Sequence, residues 1–405
     1  MLPQFLHFIE QCVFRDDPPK DKWLLVFICL CSAIPLLYGV EWIDYVVAID
    51  HCPELFCDFT KHYLPQAQRT LENGGIQNGW FYPPVLALLL TPLTLFSNPT
   101  FFWGLINAGS IALMALWVSR KMNIRWFCAL LLCMCSLPVL HSFKWGQISI
   151  LLYTLIFWGL KNGLKATSTA IALTGSIKIY PLILSVLLLK KERAQALLIL
   201  IVAFVFLALV FPMIVLGTDQ TILFWTNMFT GAQTVSLIAP KFGGQALWPV
   251  LHRYFSSGSH LGLSGSSALI FTVPQALISL IWLALSGIVV VLTARSFNRT
   301  KDLVTQAVLV LSATLILLSP SWHHYASCLP FIFATLWKNA QSHPSRFLLI
   351  TGWLIQAFPA VFMGYDVYFT YSAYGGTFWS MLLIWSASIP LSAKGKNIDK
   401  PQLQA

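Results

Sequence analysis

Charge is the scarcest property of this sequence. Only 10% of its 405 residues are Asp, Glu, Lys or Arg, where a soluble protein carries about 25%. With 57% hydrophobic residues and a mean hydropathy of +0.72, the chain reads as a polytopic membrane protein. No cleavable signal is evident, because the first 22 residues are polar, through Arg15, Asp16, Asp17, Lys20 and Lys22, and lack a small-residue cleavage site. A P-loop, a nucleotide-type glycine loop, a Ser/His/Asp arrangement of specific spacing, a soluble module and a tandem repeat are all missing. Carboxylates are almost absent from the apolar stretches, which argues against an ion-coupled transporter, since those place ionisable groups at mid-membrane. The net charge of +10 is attributed to cytoplasmic anchoring and not to nucleic acid. Nine cysteines are scattered, mostly in apolar spans as small core residues. Only Cys52 and Cys57 share a polar loop; they could pair if it faced an oxidising compartment, but proximity in sequence does not fix that geometry.

What acid there is gathers in one place. Asp44, Asp50, Glu54, Asp58 and Glu72 are five of the 15 carboxylates, and all lie between Asp44 and Phe96. That stretch closes with Tyr82-Pro83-Pro84 and an apolar run of about 13 residues. At ~1.5 Å per residue the run reaches ~20 Å, short of the ~30 Å hydrocarbon core, so it reads as a helix lying along one face of the membrane.

The expected spans are about Trp23–Trp42, Pro99–Val118, Trp126–His141, Ile148–Leu160, a hairpin over Thr167–Leu189 broken at Lys178-Ile179-Tyr180-Pro181, and Ala194–Leu216. They continue as Ala268–Thr293, Leu303–Leu318, Tyr325–Trp337, Phe347–Phe362 and Thr370–Pro390, in all about 10–12 membrane helices. Residues 44–98 and 217–267 form the first and second external loops, with an amphipathic surface helix over Gly244–Phe255. Residues 1–22 and 393–405 are cytoplasmic tails, and 23–392 is one membrane domain. This topology places 19 of the 25 Lys and Arg residues in the cytoplasm and five outside (Lys61, Arg69, Lys144, Lys241, Arg253), with Lys178 in the membrane.

The polar outliers converge on the external face: Asp58, Lys61 and His62; Lys144 and Gln147 at a helix entrance; Lys178 at the hairpin apex; and Trp322-His323-His324-Tyr325 at a turn. One acid among several cations suits an anionic lipid headgroup beside a group that must lose a proton. Each has a plainer reading. By spacing alone Asp58 is first an ordinary solvated loop acid, and Lys144 equally a side chain snorkelling to the interface. His323-His324 reads as a helix cap or polar pair and is weak as a metal site. Lys178 is different, because a lysine inside an apolar hairpin is expensive and favours a functional role.

Several stretches, in order across roughly residues 20–340, resemble glycosyltransferase family 87. CDFTKHYLPQAQRTLENGG followed by FYPPVLALLLTPLTLF resembles that family's first external loop, and KWGQISILLYTLIFWGL its Gly-Gln entrance to a span. ALTGSIKIYPLILSVLLLKK, FGGQALWPVLHRYF and SPSWHHYASCLP resemble its later motifs. His62-Tyr63 departs from a Tyr-Tyr-like pair, and the run after Gly75 lacks the usual Pro-Tyr. The resemblance implies an all-α bundle of the GT-C membrane fold whose first external loop carries surface helices. It implies transfer of a hexose, mannose first, from a polyprenyl-phosphate donor to a lipid or glycan acceptor on the outer face of the plasma (inner) membrane. The reaction would be inverting and would use no metal or cofactor, with Asp58 as general base. Lys178 and His323 or His324 are the expected phosphate ligands, with Lys144, Gln147 and Arg253 beside them and Tyr82, Trp80 and Trp322 against the sugar or isoprenoid. Two other classes stay open: a non-catalytic flippase or transporter of lipid-linked sugars, and an assembly subunit of an envelope polysaccharide system.

Overall fold

The computed structural model describes residues 2–16, 22–34, 54–76, 80, 82–234, 243–256, 268–319, 321–340, 342–362 and 365–391. Among these there is no β-strand, only helices and two isolated bridges, Phe14 with Ile124 and Gly244 with Trp322. The chain is an all-α bundle, as its composition requires: buried in lipid, backbone groups must be satisfied within each segment.

The helices run in chain order as α1 (Leu2–Val13), α2 (Lys22–Ala33), α3 (Leu64–Asn73), α4 (Pro84–Leu90), α5 (Pro99–Met122), α6 (Trp126–Met134), α7 (Leu137–Trp145), α8 (Ser149–Lys161) and α9 (Leu164–Ile177). Then come α10 (Ala194–Val205), α11 (Phe211–Leu216), α12 (Thr218–Thr234), α13 (Leu247–Phe255), α14 (Gln275–Arg299), α15 (Leu303–Leu317), α16 (Leu329–Asn339), α17 (His343–Phe362), α18 (Tyr365–Ala373) and α19 (Gly376–Leu391).

Three of the described segments are long and apolar enough to cross a membrane: Pro99–Met122, Lys191–Leu216 and Gln275–Arg299. The second and third are mostly exposed, through Leu198, Val202, Leu280 and Val291, and so present their apolar faces outward. The central helices are shorter. Twelve of the 15 residues of α15 are buried, and α16 is buried from Leu329 to Trp337.

Several expected spans differ in form. Trp126–His141 is not one rod but the bent pair α6 and α7, at 75° to each other. Pro138 explains the break, since it lacks an N–H and clashes with the preceding turn. Thr370–Pro390 is likewise divided, into α18 and α19, at Gly375 with φ +69°. Ala268 to Pro274 is not helical; Leu269, Ile270 and Val273 donate backbone bonds to Arg253, Tyr254 and Phe255. The stretch 217–267, expected as a loop, contains the 17-residue α12. The region around Gly244 is helical only from Leu247, and α13 buries Leu247 and Pro249–Arg253 instead of lying freely on the surface. Where the hairpin was expected, α9 ends at Ile177 and a 3-10 helix follows over Tyr180–Leu188.

Within 1–22, the described residues 2–16 and 22 pack against the bundle. The α1 helix leads into Phe14, which bridges Ile124, and Val13 O accepts from Arg125 N at 2.7 Å. Lys22 pairs with Glu10 at 2.6 Å. The N-terminal segment and the turn after α5 therefore share one end of the bundle. The run after Tyr82 forms α4 and a 3-10 turn, Thr91–Leu95, too short to cross and packed against α3 and α5.

Candidate active site

Asp58 opens a π-helical turn, Phe59–Tyr63, that leads into α3. Its position is set two residues earlier. Phe56 has φ +65°, a strained conformation for a bulky side chain. It is held there by a bond from its N–H to Lys144 O at 2.7 Å and by the edge of the Phe143 ring, 5.2 Å away. Cys57 is disulfide-bonded, while the other described cysteines are free; Cys52 lies outside the described residues.

The opposite wall comes from the turn between α7 and α8. Gly146 takes the left-handed conformation, φ +66°, that closes α7. A Cβ there would lie 2.8 Å from Phe56 Cβ, so only glycine allows the two segments to meet. Trp103 fixes the same turn by donating to Gly146 O at 2.9 Å. Beneath it lies a small aromatic core in which Phe59 stacks on Trp103 at 4.8 Å and Tyr63 meets Trp80, Tyr82 and Trp103 edge-on.

This geometry places Gln147 at the centre. Its amide nitrogen donates to Asp58 Oδ2. Its carbonyl accepts from Tyr63 Oη at 3.0 Å and from Lys178 Nζ at 2.7 Å. Lys178, the residue after α9, also donates to Ser149 Oγ at 3.2 Å and lies over the rings of Tyr82 and Tyr325 at 5.2 and 5.3 Å. Asp58 and Lys178 form no direct ion pair; one amide holds them together and apart. Burial pushes the Asp58 carboxyl above its ordinary range, against the opposing pull of His62, Lys178 and the Gln147 bond.

A second set of groups continues from Tyr325. His324 lies 4.7 Å from the Tyr325 ring and 5.7 Å from His141, which in turn lies 5.2 Å from His323. Both His323 nitrogens are engaged, Nδ1 with Thr377 Oγ1 at 2.8 Å and Nε2 with Ser372 Oγ at 2.9 Å. The His324 ring carries no hydrogen bond among the described residues. Burial drives both imidazoles well below their ordinary values, His323 further through His141 and Arg253, and His324 through Lys178.

Of the expected site residues, Asp58, Gln147, Lys178 and Tyr82 meet directly, and His324 joins them through Tyr325. His323 sits one layer behind, spent on hydroxyls. Arg253 is wholly buried and donates to Ala373 O at 2.8 Å, behind His323 and away from Asp58. Trp322 is 37% exposed at the rim, 6.2 Å from His324. Lys144 is buried beside Phe56, where its carbonyl supports the loop. Lys61 and His62 face outward. Tyr63, Ser149 and His141 were given no role from sequence, and Tyr325 was named only as part of the Trp322–Tyr325 turn. Only His141 carried a signal there, as an imidazole inside an apolar run. Beside the second set, Tyr254, Phe358, Tyr371, Tyr374 and Trp379 line a groove of about 430 Å³.

The cluster is one half-buried acid and one lysine around a shared amide, with an imidazole beyond Tyr325 and an aromatic groove alongside. Such a set can take a proton from a hydroxyl and hold an anionic leaving group. A model of glycosyltransferase family 87 matches residues 80–320, more than half of the chain. That segment contains Tyr82, Lys144, Gln147, Lys178 and Arg253, while Asp58 and Trp322 to His324 lie outside it. No curated protein and no solved structure matches. With an all-α membrane bundle, this site and that match, the chain belongs to glycosyltransferase family 87.

Proposed function

We propose that the protein transfers a hexose, mannose first, from a polyprenyl-phosphate donor to a lipid or glycan acceptor on the extracytoplasmic face, with inversion and with Asp58 as base. The observation that carries this is Gln147, whose one amide binds the Asp58 carboxylate through nitrogen and the Lys178 ammonium through oxygen. A direct Asp–Lys pair would spend both charges on each other. The amide leaves the acid oriented as a base and the ammonium beside it for an incoming phosphate.

In the step itself the acceptor oxygen bonds to the anomeric carbon as the bond from that carbon to the phosphate oxygen breaks. The hydroxyl proton passes to Asp58, and the bond electrons leave with the polyprenyl phosphate. Negative charge grows on the leaving group, so cations fixed there stabilise the transition state more than the ground state. Lys178 fills that role. His324, with its ring free of other bonds, is the better second ligand than His323, and an arriving phosphate would favour its charged form. Burial raises Asp58's basicity toward working pH, which strengthens proton acceptance late in the step. Among the described residues no second carboxylate stands beside Asp58, which fits a single displacement with one base. The aromatic groove at Tyr254 and Trp379 suits an isoprenoid chain.

The test is purified protein given radiolabelled polyprenyl-phosphate mannose and a lipid extract as acceptor source. The expected result is label moved into a new glycosidic bond. Movement of intact donor between leaflets, with no new bond, would overturn the reading in favour of a flippase.

A further inference from the structure

At the end of the bundle opposite Asp58, three arginines from three elements surround one pocket. Arg15 follows α1, Arg120 lies in the last turn of α5, and Arg125 precedes α6. With Ser119, Leu116, Trp126 and Phe127 they line a space of about 480 Å³. All three are exposed, and no carboxylate among the described residues lies within 4.0 Å of any of them. Arg125 spends its Nε on Gln11 O at 2.6 Å, one of its five N–H donors. Three like charges gathered around one pocket attract an anion to it.

The pocket does not end there. Leu116 and Trp126 are also walls of a second space of about 590 Å³, which continues up α5 past Leu113, Gly109 and Leu105. This second space is almost wholly apolar. From Leu116 to Leu105 the helix rises ~17 Å. Gly109 opens the groove, since nothing lies within 4 Å of where its Cβ would be. Polar cations at one end, a tryptophan at the junction and an apolar channel beyond reproduce the order of a phospholipid: phosphate, interface, acyl chain.

We propose that this is a binding site for one anionic phospholipid of the inner leaflet, its phosphate among Arg15, Arg120 and Arg125 and an acyl chain along α5 over Gly109. The lipid adds to the backbone bonds, the Arg125–Gln11 bond and the packing of Val13 and Phe14 that already join α1 to the α5–α6 turn, and so acts as a structural ligand remote from the transfer site. A free phosphate fits only the first half of the site. The apolar half selects a lipid.

The full-length protein in mild detergent tests this by native mass spectrometry and thermal unfolding with phosphatidylglycerol, chain-matched phosphatidylcholine or inorganic phosphate. Phosphatidylglycerol should be retained as a single copy and raise the unfolding midpoint, while phosphatidylcholine and inorganic phosphate do neither. Arg15→Gln with Arg120→Gln should weaken phosphatidylglycerol about 25-fold, at roughly fivefold per arginine. Gly109→Phe, which keeps every charge and whose Cβ would meet no atom within 4 Å, should weaken it as well. Equal retention of the two lipids by the unaltered protein overturns the proposal even if a variant fails to fold. Stabilisation by inorganic phosphate equal to that by lipid reduces the site to an ion site and overturns it too.

Discussion

Asp58 sits where a carboxylate is uncomfortable. Its burial lifts the folded-state pKa above the unfolded value of ~3.9. Between those two values the folded protein binds more protons than the unfolded one, so stability falls as pH rises through that window and stays reduced above it. Asp58→Asn, which still accepts the Gln147 bond, should therefore raise the unfolding midpoint at neutral pH and flatten its dependence on pH in the acid range. A lower midpoint at neutral pH would show that the charge stabilises the loop instead. For Lys178, removing the charge with Lys178→Met should weaken binding of the polyprenyl-phosphate donor while the protein stays folded. Lys178→Arg should restore part of it, because the charge returns with a different geometry. Unchanged donor affinity in the methionine variant would make Lys178 a buried support for Gln147 and nothing more.

At the scale of elements, the site depends on two segments meeting at Gly146 and Phe56. Gly146→Ala should cost at least ~2 kcal/mol, from the left-handed backbone and from overpacking against Phe56. Turnover should fall with it, because Gln147 is the next residue; thermal unfolding and a transfer assay check both. The sequence announced part of this. Asp58, Lys178 and Gln147 stand out as polar groups in apolar or motif positions, and the short α4 follows from its length. The bonds between them were not visible, since nothing local pairs Gln147 with residues 89 positions before it and 31 after it. Tyr63 and Tyr325 look like ordinary interface aromatics until their partners are known. Summed hydropathy also hid the bends, although Pro138 and Gly375 were there to be read. The α1 helix was passed over for its charged flank, yet Phe5, Ile9 and Val13 recur every four residues.

Across the whole molecule, the acid-bearing loop and the arginine pocket occupy opposite ends, joined by α5. That polarity matches the charge asymmetry of the chain and supports the proposal that the chemistry lies on the side where only five basic residues are expected. A cysteine introduced at position 97, between α4 and α5, should be labelled by a membrane-impermeant reagent from outside. Labelling from the cytoplasm alone would mean that α4 crosses and would reverse the face of the site. The central claim, that Asp58 removes the acceptor proton, is tested most directly by comparing sugar transfer and donor binding in the Asp58→Asn enzyme. General-base assistance contributes ~10²–10⁴-fold, so transfer should fall by roughly two or more orders of magnitude while donor affinity survives. Glu54→Gln, at an exposed acid paired with Lys61, should do far less. Near-normal turnover in Asp58→Asn, or an equal loss in Glu54→Gln, would contradict a single placed base.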